Sequence, residues 1–572
     1  MLLPGPVHAD ALYAVSVAVA AGLRAGAVIH QDWQAFGGGR FFPAPLHEVL
    51  RDDFCNSKRF FPEEQFFSFE GEEKTDRMRK PFAERGSNAM NRWFETLQQT
   101  LGREKILEDP EKAPLVPLQV YAESLGELRE AFSRWFQACL PANARIRVFV
   151  DGVEKKCSEG PTAQIDREFR ALLSEAGLPC RWTDLSAELS VLPRDIHASH
   201  ACLERIRGVV RGGKEDAVVV LGSGSITDLV KHALQMENIT VPFVSIPTAL
   251  TVTAFTSAFA IIDFHGAKRT LLSRPVSAAF WVRPFLECAP PGMSRAGYGD
   301  LLARFVAYGD WFLGHRLGVM ERYDESAFRL MEPFAGGIRD AADGFAGDAL
   351  PQEATACTAA ALAMAGISMS TAGETTPLSG FEHVISHALD FLRLTAGREL
   401  VFHGEQVALG SLVSARTIDR LLAIENLKNV AWRDEDIGQS LRVLEERMAA
   451  APLPRSSPAD PYREKMGAAR VEFSVEYRKK SERWAAARPR IGSFVDSWED
   501  IRLELARLTM RAGELELLLK KSGLPCRPAE TDPPTADEEF RWAVAFSPFV
   551  RVRMNLSDLL FWMGREDLVV LP

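Results

Sequence analysis

At 572 residues the chain is too long for one hydrophobic core, and at roughly 100–200 residues per domain about three folding units are expected. Hydrophobic content of 47% with 25% charged residues is ordinary for a soluble globular enzyme, and a net charge of -10 argues against broad affinity for nucleic acid or anionic membrane, leaving a local basic pocket open. The eight cysteines contain no CxxC pair, which excludes a disulfide framework or zinc ribbon and points to a reducing cytoplasm.

Residues 11–23, ALYAVSVAVAAGL, fall short of the ~20 residues of a membrane span. Asp10 precedes them and no Lys or Arg does, so a buried helix is expected and no stable membrane insertion. Gly37 to Gly39 follow no strand and read as a turn. Aromatic clusters and a charge run complete residues 1–115, read as an N-terminal extension of unknown role.

From residue 116 the pattern alternates between strand and helix. Residues 121–140 have helical periodicity, RIRVFVDG is a short strand ending at Asp151, and 162–178 is again helical. A helix over 198–213 leads to a second strand, AVVVL, which runs into Gly222-Ser223-Gly224-Ser225 and a further helix carrying Asp228. Such strand-helix units imply a parallel sheet with ligands beyond the strands' carboxyl ends. The glycines let the backbone approach a pyrophosphate, while Ser225 and the free helix N–H groups donate along the helix dipole. Asp151 stands where a carboxylate accepts from an adenosine ribose, or is a plain turn residue.

A strand then opens into a Ser/Thr-rich loop bearing Thr248, Thr251, Thr253, Thr256 and Ser257, neutral donors suited to a nicotinamide amide or small polyol. Lys268 and Arg269 follow near a turn. Beyond Pro290 the chain is mostly helical, with Asp300 expected at the start of an amphipathic helix. There it is either a dipole-stabilised acid or an oxygen ligand.

The densest chemistry lies in SGFEHVISHALDFLRLTAGRELVFHGEQ, residues 379–406. His383 and His387, four apart on a helix, point the same way, and His403 arrives on a separate element. Three such side chains make a divalent-metal shell, or a histidine pair serving an ordinary helical core.

Five blocks in order, LGSGSITDLVK, VPFVSIPTALTVTAFTS, AGYGDLLARFVAYGDW, SGFEHVISHALD and FHGEQVALGSL, with AFSPFVRVRMNLSDLL as a sixth, resemble the sn-glycerol-1-phosphate dehydrogenases of the dehydroquinate synthase-like and iron-containing alcohol dehydrogenase superfamily. The resemblance covers roughly residues 116–572. It implies an α/β nucleotide-binding domain over 116–284, an all-α metal-binding catalytic domain over 285–572, and a homodimer. It also implies NAD or NADP as cofactor and a divalent metal, usually zinc, with nickel or iron in relatives.

By the same resemblance Asp300, His383 and His403 are the metal ligands and His387 faces substrate. Gly222, Gly224, Ser225 and Asp228 match the dinucleotide loop; Thr248 and Ser257 match positions on the nicotinamide side. The implied activity is reduction of a small phosphorylated ketone such as dihydroxyacetone phosphate. Lys268 is the first candidate to neutralise its phosphate beside His387, ahead of Arg269 and Arg304. The alternatives are a dehydroquinate synthase-like cyclase and a catalytically diverged binding protein. Two departures stand out. Ser223 replaces the middle glycine of the family's loop, and Thr253 replaces an Asp that contacts substrate in the family.

Overall fold

The strands Ile146–Val150 (β2) and Ala217–Gly222 (β4) are buried at every position, which is the mark of strands covered on both faces. They belong to a six-stranded, all-parallel sheet of order β1-β8-β5-β4-β2-β3, completed by Leu118–Ala122 (β1), Cys180–Asp184 (β3), Phe243–Pro247 (β5) and Ala278–Val282 (β8). The computed structural model describes residues 91–572 except 194, 195, 348, 434–436 and 454–460. The expected helix at 11–23 and the turn at Gly37 to Gly39 lie outside the described residues.

Register sets up the first half of the site. Gly222 at the end of β4 pairs with Pro247 at the end of β5, so the glycine turn and the hydroxyl loop leave the sheet side by side. The Thr248 N–H donates to the Gly222 carbonyl at 3.2 Å and holds them together.

Three local readings change. Tyr121 and Ala122 lie in β1, not in the following helix, which begins at Leu125 because Ser124 caps it through the Glu127 N–H. Strand β3, CRWTD, alternates polar and apolar residues at a sheet edge and gives no buried-strand signal. Lys268 and Arg269 sit within a strand, Ala267–Leu272 (β7), paired antiparallel with Phe259–Phe264 (β6) through a turn at His265 and Gly266, where φ is 56° and 88°.

After β8 the described chain is helical. Helix Gln352–Ala372 is buried along nearly its whole length. It is long and apolar enough to cross a membrane, yet here other parts of the same unit enclose it. Gly366 allows this closeness, since a Cβ there would stand 2.1 Å from Thr256 Oγ1 and 2.9 Å from the Thr253 carbonyl. Packing begins ahead of residue 116: Phe94 of helix Arg92–Arg103 stacks on Tyr121 of β1 at 5.0 Å, and Trp93 Nε1 donates to Glu353 at 2.5 Å.

Candidate functional site

Helices Pro291–Leu301 and His403–Leu422 meet backbone to backbone. A Cβ on Gly299 would lie 2.3 Å from the Gly404 carbonyl, and one on Gly404 would lie 1.6 Å from that of Ala296. Gly410 in turn packs onto the backbone of Glu382 in helix Phe381–Thr395. These contacts bring Asp300, His383 and His403 together, with a ligand atom from each within 4.8 Å of the others.

Asp300 lies in the last turn of its helix, not at the start as expected from sequence. A helix C-terminus repels an anion, so dipole stabilisation does not account for Asp300 there. His383 Nε2 is 3.2 Å and His403 Nε2 3.7 Å from Asp300 Oδ1. The opposite ring nitrogens are occupied. His383 Nδ1 is 2.9 Å from Glu382 Oε1, which also accepts from the Gly380 N–H, and His403 Nδ1 is 3.0 Å from Ser386 Oγ. The Ser386 hydroxyl donates to Gln406 Oε1 at 2.6 Å, so its oxygen accepts from His403 and the His403 proton belongs on Nδ1.

With both protons on Nδ1, two Nε2 lone pairs and Asp300 Oδ1 converge as three acceptors with no donor. Asp300 Oδ1 is a buried atom with no hydrogen-bond partner. Burial opposes protonation of His383, but Asp300 and Glu382 outweigh it and raise its pKa, so the locality calls for positive charge. Two imidazoles and a carboxylate with their outer atoms held in place fit a divalent cation.

His387 stands beside this triad, its ring centre 6.4 Å from that of His383 and 5.8 Å from that of His403. Burial, followed by the charges of Arg551 and Lys268, holds it well below the usual imidazole range and keeps it neutral at pH 7. Arg551 donates to His387 Nε2 at 3.0 Å, placing the ring proton on Nδ1, a buried atom with no hydrogen-bond partner among the described residues. That N–H is a free donor.

Lys268 is drawn to the same place. Its ammonium is 2.5 Å from Asp390 Oδ2, and Asp390 Oδ1 accepts from Gln406 Nε2 at 3.1 Å. A continuous chain therefore runs from His403 through Ser386, Gln406 and Asp390 to Lys268. Arg269 is 3.2 Å from Glu472. Arg304 is not at the site: it pairs at 2.5 Å with Glu332, which lines a surface groove with Tyr323, Phe328 and Arg507.

In the α/β half, Asp151 is buried beside the glycine turn. Its Oδ2 is 3.3 Å from where a Gly222 Cβ would sit, while Oδ1 accepts from the Val153 N–H and Lys155. Ser223 takes the N-cap position of helix Gly224–Met236 with its hydroxyl unused as a cap, and Ser225 is half-buried in the first turn. A Cβ on Gly224 would stand 2.3 Å from Val252, so this glycine also admits the hydroxyl loop.

Asp228, expected in the cofactor loop, lies in the helix that starts at the glycine turn and is engaged by the chain itself. Its carboxylate accepts from the Ile261 N–H at 3.0 Å and lies 2.8 Å from Lys231, which is fully buried and donates to the carbonyls of Ala254, Ser257 and Phe259. Asp228 and Lys231 thus anchor the hydroxyl loop. Ser257 Oγ accepts locally from the Phe259 N–H and Thr256 donates to Ala363, so both hydroxyls serve the fold. Thr253 opens a short turn, Thr253–Phe255, and is half-buried.

Sequence reasoning gave no role to Glu382, Ser386, Gln406, Asp390 or Arg551. Spacing carried part of the signal, since Ser386 and Asp390 are four apart on the histidine helix. Two arginines within an apolar C-terminal stretch were the other clue.

Residues 165–282 match the family model for iron-containing alcohol dehydrogenase. The glycerol-1-phosphate dehydrogenase [NAD(P)+] of Pyrococcus furiosus is 34% identical over 214 residues, 37% of this chain and 59% of that protein. That of Bacillus velezensis is 29% identical over 280 residues, 48% of this chain and 70% of that protein. The chain is thus similar to glycerol-1-phosphate dehydrogenases over part of their length, and to iron-containing alcohol dehydrogenases over residues 165–282. It spans about three-fifths of the length of the Pyrococcus relative. A solved structure, a probable glycerol dehydrogenase from Sinorhizobium meliloti 1021, aligns with 63% of this chain and 98% of that chain at 20% identity and a TM-score of 0.40. In this chain a parallel-sheet half precedes a helical half, with Asp300, His383 and His403 on the helical side.

Proposed function

We propose that the protein is a metal-dependent NAD(P)H oxidoreductase that interconverts a small phosphorylated ketone and its alcohol, with dihydroxyacetone phosphate as the ketone. The observation that carries this reading is the convergence of Asp300 Oδ1 with two imidazole Nε2 atoms beside a third, neutral histidine with a free N–H. In this reading the α/β half up to about residue 284 holds the cofactor and the helical half holds the metal.

Asp300, His383 and His403 would hold the ion. The mixed nitrogen and oxygen donor set suits zinc, and three protein ligands leave an open position for substrate. When bound, a divalent ion supplies Lewis acidity toward a ketone oxygen. Glu382 and Ser386 keep both ligand rings turned inward. His387 donates from Nδ1 to a substrate oxygen, oriented by Arg551 at Nε2. The chain from His403 to Lys268 holds the ammonium where its charge acts on His387. On the cofactor side, the Gly222-Ser223-Gly224 turn presents helix N–H groups to a pyrophosphate, and Asp151 offers Oδ2 to a ribose hydroxyl.

The test is the fall of nicotinamide absorbance with dihydroxyacetone phosphate, with and without added zinc or nickel. Turnover that depends on the metal is expected. No turnover with any phosphorylated ketone overturns the reading, and cyclisation of a sugar phosphate with no net nicotinamide consumption replaces it. Metal analysis of His383→Ala and His403→Ala tests the ligands directly; unchanged metal content in both defeats the assignment.

A further inference from the structure

Four cations cluster behind the histidines, and they are not equivalent. Lys268 has Asp390 at 2.5 Å and Arg269 has Glu472 at 3.2 Å. Arg553 donates to Thr375 at 2.5 Å and to Ser379, in the field of Glu382, Glu374 and Asp310. Arg551 has no such compensation. Among the described residues no carboxylate lies within ion-pairing distance of it, its hydrogen bond goes to neutral His387, and its buried Nε has no partner. Glu476, an acid whose charge favours the cationic guanidinium, is 3.3 Å from Lys479.

Arg551 is only 5% exposed. A guanidinium remains charged at working pH, and a buried charge without a counter-ion is costly to keep. Such a group is accounted for when an anion enters beside it. We propose that Arg551 recognises the anionic group of the substrate, gripping a phosphate monoester through its planar fork while His387 holds one of its nitrogens. The inference rests on the reading of the substrate as a phosphorylated ketone and deepens it by naming the residue that selects the phosphate.

Span and geometry agree. One imidazole, His387, separates Arg551 from the triad, and in a small phosphorylated ketone three bonds separate the carbonyl carbon from phosphorus. Carbonyl and phosphate can therefore reach the triad and the guanidinium together. Arginine offers paired, parallel donors that match phosphate oxygens, which an ammonium cannot. Lys268, held by Asp390, adds field rather than a free donor fork.

The test compares metal-loaded wild type with Arg551→Gln and Arg551→Lys on dihydroxyacetone phosphate and on unphosphorylated dihydroxyacetone. For Arg551→Gln, kcat/KM on the phosphorylated ketone is expected to fall about 100-fold, the scale for removing one partner of a buried charge pair, with a loss at least tenfold smaller on dihydroxyacetone. Arg551→Lys should fall between the two. Equal losses on both ketones, or none on the phosphorylated one, overturn the proposal.

A binding measurement separates this from failure of the catalytic reading. With NADPH saturating, so that the glycine turn is filled, inorganic phosphate should raise the Tm of wild type and not that of Arg551→Gln. That result upholds Arg551 even if no phosphorylated ketone turns over. An equal rise in both proteins, or none in wild type, overturns it. Without ligand, Arg551→Met should be at least as thermally stable as wild type; a marked loss of Tm would make Arg551 a structural residue and overturn the proposal as well.

Discussion

Gly404 packs directly on Ala296: a Cβ at Gly404 would stand 1.6 Å from the Ala296 carbonyl oxygen. The obstruction is backbone, which cannot swing aside as a side chain would. Gly404 follows His403, and Ala296 lies one helical turn before Asp300, so this contact sets how far apart two proposed ligands stand.

Gly404→Ala is therefore expected to destabilise the fold by roughly 1–3 kcal/mol, the range for overpacking, and to lower metal affinity as well. Thermal denaturation and metal content of the purified variant check this. Wild-type values for both would show that the two helices separate freely.

Ser386→Ala should weaken metal binding about 10- to 100-fold without abolishing it, the usual effect of removing the partner that orients a metal-bound imidazole. The Ser386 hydroxyl accepts from His403 and donates to Gln406, so both lose a partner at once. Competition with a chelator of known affinity reads the change, and unaltered affinity would remove Ser386 from the site.

His232 gives the fold an acid-sensitive point away from the site. Burial first, then Lys231 and Arg207, lower its pKa from 6.5 to about 4, and its Nδ1 is a buried atom without a partner. The unfolded chain binds the proton more readily. The stability this group contributes is complete above pH 6.5 and is lost as pH falls toward 4, by at most about 3 kcal/mol. Urea denaturation of wild type and His232→Gln across that window should show a shallower pH slope in the variant. Equal slopes would count against His232 as the source.

Lys480 is fully buried, with Asp558 Oδ1 at 2.8 Å, Oδ2 at 2.9 Å and the Pro548 carbonyl at 2.8 Å. Lys480→Met removes the cation that faces the buried Asp558 carboxylate, which should cost about 3–5 kcal/mol. Replacing both residues with apolar ones of similar volume should recover much of that loss. A single variant as stable as wild type would contradict the buried pair.

The parallel sheet, the glycine turn and the meeting of Asp300, His383 and His403 were legible because each leaves a local trace: an apolar run, a strand-turn-helix junction, or histidines at helical spacing. Strands β1, β3 and β8 were not. Tyr121 and Ala122 continue smoothly into a helical pattern, and the polar residues of β3 hide an edge position. Asp300 was found but placed at the wrong end of its helix, because its neighbouring glycines looked like a start when they are contact points for Leu250 and Gly404. The hold of Asp228 and Lys231 on the following loop left no local trace. Arg551 was invisible as a partner of His387, since the 164 residues between them carry no periodic signal linking the two.

Lys231 has a wider consequence. Its ammonium lies beneath the hydroxyl loop, donating to three of that loop's carbonyls from a helix that begins at the glycine turn. Jaw and hinge are thereby one casting: the surface proposed for the cofactor's phosphates and the surface proposed to face its reactive ring are locked to a single helix. Substitutions in the loop will be felt in nucleotide affinity, and selection for a new substrate on one surface will drag the other with it.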